Sequence, residues 1–286
     1  MGGTIVEATE PGSLGATARF ATKSEGFVKD RMTKVYDCIT FGGELEMLEG
    51  RLNTYADVVD KFVIVEGDHM YANQPKPFYF EENRELFKDF EDKIVYHKVQ
   101  SQKFDNAWSN DYYQRAQLSG VLASLNPSIE DLVFICDTDA WVDFDKIKDI
   151  TGPVGLAMPK YHMSLNWYHK NEPTAVVARY GDVAGKDLDK VRWQRNQMPQ
   201  VFGGWHLTSM GDLQYLIRKV RGFAHQELVT EYVDEALEHC WVWGHDLAGE
   251  IYTEIELEQA NYPQWIMDRK FPAEWYRKRP EFNLTN

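Results

Sequence analysis

Two aspartates at the end of an apolar stretch are the side chains best suited to chemistry in this sequence. Asp137 and Asp139 follow VFIC (133–136), a run that predicts a buried strand. Side chains two residues apart in a strand emerge on the same side, so these carboxylates repel each other unless a cation or a shared proton lies between them. Mg2+ or Mn2+ held by such oxygens can bridge the phosphates of a nucleotide diphosphate and neutralise its charge as it leaves. A turn or helix-cap role is the competing interpretation, because Asp is common at both.

A second group of candidates lies around GGWHLTS (203–209). Its two glycines permit close backbone approach, and Trp205 offers an aromatic face suited to stacking on a sugar ring. His206 has three interpretations: a third metal ligand, a contact to an acceptor, or a structural histidine. Trp167 and Tyr168 combine aromatic rings with a neighbouring amide, which suits a carbohydrate acceptor, although a half-buried strand needs the same rings.

The elements that must position these residues alternate between strands and helices. Apolar runs predict strands, and apolar residues at helical spacing, such as Leu48 and Leu52, predict helices. In chain order the predicted elements are a strand at 34–41, a helix at 44–59, a strand at 60–67, a turn and helix at 76–93, a strand at 94–99, a helix at 110–125 and a strand at 131–136. The alternation predicts an α/β fold with a mostly parallel central sheet flanked by helices, which binds ligands at the carboxyl ends of its strands.

The pattern after residue 150 is less regular. The predicted elements there are strands within 152–170, a strand or tight turn at 201–209, a helix at 210–223 and a helix at 226–244 ending at Gly244. No repeat or low-complexity tract interrupts the sequence, so we expect a single domain at 32–286. Residues 1–31 are rich in Gly, Thr, Ala and Ser without a clear period, and they predict an N-terminal extension or linker.

The composition narrows the class of protein. A formal net charge of -14, from 31 Lys and Arg against 45 Asp and Glu, argues against a nucleic-acid partner, which would need a basic face. Hydrophobic residues make up 43% of the chain and aromatic residues 14%, which is ample for a packed core. The three cysteines lack zinc or CxxC spacing, no apolar run reaches the ~18 residues of a membrane span, and the N-terminus lacks a secretory signal. We therefore expect a cytoplasmic protein with reduced thiols and no membrane span.

Four ordered stretches resemble the family 17 glycosyltransferases, which include the bisecting β-1,4-mannosyl-glycoprotein N-acetylglucosaminyltransferase. They are YDCITFGGELEMLEGRLN (36–53), VVDKFVIVEGDHMYANQPKPFYF (58–80), VFICDTDAW (133–141) and GGWHLTS (203–209). The resemblance implies a GT-A-like nucleotide-sugar-binding fold. It also implies metal-dependent, inverting transfer of a sugar, expected to be GlcNAc, from a UDP-linked donor to a glycan or small hydroxyl acceptor. The chain departs from the family pattern at Gly43, where the family has Asn, and at residues 140–142, where it has Glu-Ile-Pro.

The resemblance also directs attention to charged residues around the aspartate pair. The predicted donor-binding residues are Glu44, Glu66, Arg115, Asp137 and Asp139, and the predicted metal ligands are Asp137, Asp139 and His206. Helix capping or salt bridging is the alternative for the two glutamates, and a surface i,i+4 pair with Asp111 is the alternative for Arg115. Inversion needs a general base for the acceptor hydroxyl, and the second half of the chain offers Glu227, beside His225, or Asp246.

Two other functions remain open on the sequence. A metal-dependent nucleotidyltransferase would also use paired carboxylates, but it normally carries a Gly-rich phosphate loop with a basic residue, and TFGGELE (40–46) contains no Lys or Arg. A non-catalytic carbohydrate-binding relative of a transferase is compatible with the changed residues after Asp139. Nucleotide binding and donor turnover distinguish these classes.

Overall fold

A computed structural model describes residues 33–147 and 150–280 of the chain. The predicted N-terminal extension at 1–31 lies outside the described residues, and the predicted domain at 32–286 is described over those two ranges. None of the helices in these ranges has the length and apolar character needed to cross a membrane.

Strands and helices alternate through the first half of the described chain. The strands are β1 (Val35–Phe41), β2 (Lys61–Gly67), β3 (Ile94–Val99), β4 (Leu132–Asp137), β5 (Ala140–Trp141), β6 (Val154–His162), β7 (Trp167–Arg179), β8 (Gln200–Phe202), β9 (Trp205–Thr208) and β10 (Thr253–Glu254). The α-helices are α1 (Leu45–Tyr55), α2 (Tyr79–Glu82), α3 (Ala107–Ser124), α4 (Tyr180–Val183), α5 (Leu188–Trp193), α6 (Leu213–Gly222), α7 (Val233–Trp243), α8 (Leu257–Ala260) and α9 (Gln264–Met267). Short 3-10 helices lie at Arg84–Phe90, Phe144–Lys146, Gln194–Gln197, Gln226–Leu228 and Ala273–Tyr276.

The strands of the described residues form one mixed sheet. Its order is β3-β2-β1-β4-β7-β6-β9-β5, with β10 beside β7 and β8 beside β6. The first four strands are parallel, whereas β7 runs antiparallel to both β4 and β6. The α/β prediction is therefore confirmed, but "mostly parallel" describes only one half of the sheet. Only residues 163–166 join β6 to β7. Such a short connection makes a hairpin, since a parallel crossover needs about a dozen residues or more.

Side-chain alternation along β1 builds a core on each face of the sheet. Val35, Ile39 and Phe41 pack in the cluster that contains the apolar face of α1. Tyr36 and Cys38 point the other way and pack in the cluster that contains the apolar residues of α3. Helices therefore cover both faces, as the sequence predicted. The polar side chains of β1 and β4 also alternate between the two faces of the sheet. The face on which each one lies determines its partners in the site.

Two predicted helices are shorter than the sequence suggested. The segment 76–93 holds only a single turn of α-helix followed by a 3-10 helix. The Asn83 side chain there donates to a backbone carbonyl four residues earlier (2.9 Å), which competes with regular helical bonding. Within the segment 226–244, α7 occupies only the last part. It ends at Gly244 with φ 69, which confirms the predicted C-cap.

Candidate functional site

The carboxyl ends of the parallel strands open into a cavity of about 1090 Å³. The register between β1 and β4 places Thr40 beside Asp137, and both line the cavity. Its other walls come from the start of α1, from α3 and α5, from the segment that runs from β9 through α6, and from parts of 69–79 and 272–275. The cavity thus lies at the edge of the sheet where the sequence predicted ligand binding.

Asp137 is held by two arginines. Its Oδ1 accepts hydrogen bonds from Nη1 of Arg115 (2.5 Å) and Oγ1 of Thr40 (3.1 Å), and its Oδ2 accepts one from Nη2 of Arg192. Burial favours a higher pKa, but the two guanidinium groups hold the pKa of Asp137 far below its usual range. Both carboxylate oxygens are therefore occupied by cations of the chain itself. The structure thus shows Asp137 paired within the chain, and its role as a metal ligand stays a prediction.

The two aspartates point to different partners because the strand ends between them. Asp137 is the last residue of β4, and Thr138 and Asp139 form a turn. The Asp139 carboxylate lies 3.3 Å from Nζ of Lys219 and 3.7 Å from Nε2 of His206. The two carboxylates therefore have different partners, since side-chain alternation holds only within extended chain.

Arg115 is buried, so its pairing is not the surface pair that the i,i+4 spacing suggested. Its Nη2 does bond Asp111 one helical turn earlier (2.9 Å), and its Nε lies 3.3 Å from Asp189 of α5. The pKa of Asp189 is raised to about 6, because burial outweighs the attraction of Arg115. Arg115 thus links the end of β4 to α5, which brings Arg192 to the same aspartate.

His206 faces Asp139 from β9, and its other ring nitrogen is already engaged. Nδ1 of His206 lies 3.0 Å from Oε1 of Glu172 on β7, and Nζ of Lys160 lies 3.4 Å from the same oxygen. Burial favours a higher pKa for Glu172, but His206 and Lys160 lower it to about 2. The structure therefore brings together two of the three predicted ligands. Atoms 3.7 Å apart can both reach one ion at ligand distances of about 2.1 Å.

A separate group of metal-type ligands lies elsewhere in the described part of the chain. His169, Asp246 and Glu250 each offer a ligand atom, and these atoms lie within 4.8 Å of one another. Nδ1 of His169 is buried without a hydrogen-bond partner in the described ranges, whereas metal-bound histidines almost always donate from that second nitrogen. Oδ1 of Asp246 accepts the backbone N–H groups of Ala248 and Glu250 (2.9 and 2.8 Å). This group fastens a turn to β7, and Asp246, predicted as a second candidate base, is not among the cavity-lining residues.

Arg51 stabilises the turn that carries Asp139, and the sequence reasoning missed it. This side chain of α1 is fully buried and forms a bidentate pair with Asp37 of β1 (2.7 Å for both bonds). Its Nη1 also donates to the carbonyls of Ala140 (2.6 Å) and Thr138 (3.3 Å). The sequence signal was weak, since an arginine in a helix with four acidic or polar neighbours looks exposed. The buried guanidinium fixes the backbone that presents Asp139.

The model of glycosyltransferase family 17 matches residues 21–249. The chain belongs to glycosyltransferase family 17. Membership assigns glycosyl transfer to the protein, with a sugar donor and an acceptor as its partners, and it confirms the resemblance found in the sequence. A search of curated proteins finds no match.

The two glutamates predicted to bind the donor of this family 17 enzyme have different positions. Glu66 is fully buried and accepts hydrogen bonds from Lys76 (2.7 Å), from the backbone N–H of Tyr79 (2.8 Å) and from the Tyr96 hydroxyl (2.8 Å). It is not among the cavity-lining residues, so the alternative of capping and salt bridging describes it. Glu44 does line the cavity, immediately before α1, and accepts from the backbone N–H of Gly42 (2.9 Å).

Glu227 reaches the cavity through a histidine. Its Oε1 lies 2.6 Å from Nδ1 of His225, and His225 lines the cavity whereas Glu227 does not. The hydrogen bond with His225 lowers the pKa of Glu227. The ring of His225 also packs edge-on against Trp108, with 4.4 Å between centroids. The role of Glu227 as the base stays a prediction, and the sequence did not show that His225 lies between this carboxylate and the cavity.

The aromatic residues predicted to bind the acceptor of the family 17 enzyme belong to the core instead. Trp205 is buried and donates from Nε1 to the carbonyl of Ala260 (2.8 Å), and Trp167 is buried as well. Neither they nor Tyr168 line the cavity. The aromatic walls of the cavity include Trp108 and Trp193, the latter 43% exposed. Sequence reasoning passed over these two because each lies in or beside a polar helix.

Proposed function

We propose that the protein transfers a sugar, GlcNAc in our expectation, from a UDP-linked donor to a hydroxyl of a glycan or small acceptor, with inversion and with help from a divalent cation. The observation that carries the proposal is the set of side chains around the turn after β4. Two guanidinium groups, one ammonium group, two carboxylates and one imidazole converge there in a family 17 chain. This is the mixture of charges that an anionic diphosphate and a cation require together.

The cavity lining carries as many Lys and Arg as Asp and Glu, seven of each, whereas the whole chain has a net charge of -14. The Lys and Arg residues that line the cavity are Lys76, Arg115, Arg192, Arg195, Arg218, Lys219 and Arg221. Local cations of this kind concentrate an anionic ligand that the rest of an acidic surface repels. Guanidinium groups suit phosphate because they donate two parallel hydrogen bonds.

Asp139 and His206 are the residues that would hold the ion. Their facing atoms, Oδ1 and Nε2, lie 3.7 Å apart, and Nε2 is available because Nδ1 is engaged by Glu172. A bound divalent cation would supply charge neutralisation for the departing diphosphate. Lys219, which now pairs with Asp139 at 3.3 Å, is placed to donate to phosphate oxygens once that carboxylate has another partner.

The acceptor end lies at the aromatic wall in this proposal. Trp108 and Trp193 offer apolar ring surface for a sugar, and they pack against each other with centroids 6.0 Å apart. The base remains Glu227, acting through or together with His225, to which it is bonded at 2.6 Å. A histidine with an acidic partner can take the hydroxyl proton near neutral pH.

The test has a binding arm and a turnover arm on the full chain. Calorimetry with UDP should show tighter binding with Mn2+ than with EDTA. A panel of UDP- and GDP-sugars should then give cleavage of one UDP-sugar above the others. No UDP binding under either condition would overturn the donor assignment. Metal-dependent UDP binding with no cleavage of any donor would favour the non-catalytic carbohydrate-binding relative.

A further inference from the structure

Three adjacent strands build a chain of polar contacts that ends at the proposed ion. Lys160 on β6 is the register partner of His206 on β9, and Glu172 lies on β7, the other neighbour of β6. Oε1 of Glu172 therefore meets both Nζ of Lys160 (3.4 Å) and Nδ1 of His206 (3.0 Å). These residues lie on the half of the sheet that mixes parallel and antiparallel pairs, with β6 parallel to β9 and antiparallel to β7.

Glu172 determines which nitrogen of His206 carries the hydrogen. A carboxylate accepts but does not donate, so Nδ1 must be the N–H of the ring. Nε2 then presents its lone pair, and it faces Oδ1 of Asp139 across 3.7 Å. A carboxylate behind a histidine in this way fixes the tautomer, orients the ring and strengthens the nitrogen as a ligand.

We infer that Glu172 is a positioning residue for His206 and that it makes the ion site selective for a first-row transition-metal dication over Mg2+. The inference rests on the proposed function. Asp139 and His206 together form a mixed oxygen and nitrogen donor set. The affinity of a site that contains imidazole nitrogen rises along the first row from Mn2+ to Co2+, whereas Mg2+ prefers oxygen ligands and retains its waters. Mn2+ and Co2+ should therefore bind more tightly than Mg2+, and the difference should depend on Glu172.

The chain supplies a matched control in a second histidine–carboxylate pair. Nε2 of His169, on β7 like Glu172, lies 2.8 Å from Oε2 of Glu250. Neither residue lines the cavity. Glu250→Gln changes the same chemical group beside a histidine without touching the proposed ion site.

The experiment measures ion affinity rather than turnover. Mn2+ is titrated into the full chain in the presence of UDP, and the free ion is followed by its electron paramagnetic resonance signal, with Mg2+ added as a competitor. Glu172→Ala should weaken Mn2+ binding by roughly 10- to 100-fold, the effect typical of lost outer-shell partners. Glu172→Gln should lie near the lower end of that range, because its amide oxygen still accepts from Nδ1. Glu250→Gln should match the wild type, and Mg2+ affinity should change less than Mn2+ affinity in both Glu172 variants.

Melting curves show whether each variant is folded. If Glu172→Ala does not fold, the Mn2+ affinity of Glu172→Gln alone tests the inference. Unchanged Mn2+ affinity in a folded Glu172 variant overturns the inference while leaving the proposed function intact. Equal affinity of the wild type for Mn2+ and Mg2+ overturns the selectivity. Absence of any Mn2+ binding by the wild type with UDP present contradicts the metal dependence in the proposed function itself, and the inference falls with it.

Discussion

At the scale of single residues, the two carboxylates of the D-x-D sequence have separate tasks. Asp137 pairs with Arg115 and Arg192, so it holds both guanidinium groups at the cavity. Asp139 has a weaker set of partners, with Lys219 at 3.3 Å and His206 at 3.7 Å, so it is the carboxylate that can exchange partners when ligands bind. Each of the two carboxylates has its own cationic partners, and these remove the repulsion expected between the two acids.

Because the two aspartates have different partners, replacing each of them by Asn should change a different property of the protein. Asp139→Asn should lower Mn2+ affinity in the presence of UDP by tenfold or more, with little effect on stability. Asp137→Asn should lower the free energy of unfolding by about 3 kcal/mol, because it leaves two buried guanidinium groups without their common anion. Mn2+ titration and urea unfolding of both proteins check this. Equal loss of stability in the two variants would contradict the assignment.

Asp189 makes the stability of the fold depend on pH, and the direction of the change follows from its raised pKa. Its pKa in the folded chain is raised to about 6, above the ~3.9 of an unfolded aspartate. The folded state therefore binds the proton more tightly, so this group stabilises the fold fully below pH ~4 and loses that contribution as pH rises through 6. Asp189→Asn should remove this decline. Urea unfolding of wild type and variant at pH 4, 5, 6 and 7 measures it, and an identical slope in both would refute it.

At the scale of elements, α1 is fastened to the sheet by a charge rather than by apolar packing alone. Arg51 reaches from α1 to Asp37 on β1 and to the carbonyls of the turn that ends β4. The contact exists because alternation turns Asp37 towards the α1 face, whereas Thr40 and Asp137 face α3. Without the Arg51 contacts, α1 would pack on the sheet but would not hold the turn that carries Asp139. The site thus depends on an element that contributes few of its walls.

Arg51 is accordingly expected to matter more for stability than any other charged residue of α1. Arg51→Met should cost about 3 kcal/mol or more, since it leaves the Asp37 carboxylate buried and unpaired. The double variant Arg51→Met, Asp37→Asn should be less destabilised than the sum of the two single changes, because the unpaired charge is gone. Urea unfolding of the four proteins gives this coupling energy. Strict additivity would show that the pair is not coupled.

At the scale of the whole molecule, the C-terminal segment beyond the family match is part of the same fold. The match ends at residue 249, yet Ile266, Phe271 and Trp275 belong to the largest core cluster. The backbone N–H of Leu165 also donates to the carbonyl of Trp275 (2.7 Å). Trp275 lines the cavity as well, so the last described segment closes both the core and the site.

Loss of this segment should therefore affect the entire protein. Trp275→Ala should lower the free energy of unfolding by about 3 to 5 kcal/mol, the usual cost of removing a buried aromatic ring. Ile251→Ala is the control, because Ile251 is 72% exposed although it is equally apolar. Thermal or urea unfolding of both variants provides the comparison. A Trp275 variant as stable as the Ile251 variant would show that the segment is peripheral.

The sequence by itself determined most elements of the first half, the position of Asp137 at the end of β4 and the family, because periodicity and short motifs are local properties. The roles it suggested for His206 and Glu227 stay predictions. Only the tertiary structure decided the partners: Arg192 lies 55 residues from Asp137, and Lys219 lies 80 residues from Asp139. Contacts at such separations depend on which strands become neighbours, and the hairpin of β6 and β7 set that order. The same long-range packing buried Trp205 and Glu66, whose residue types had suggested ligand binding.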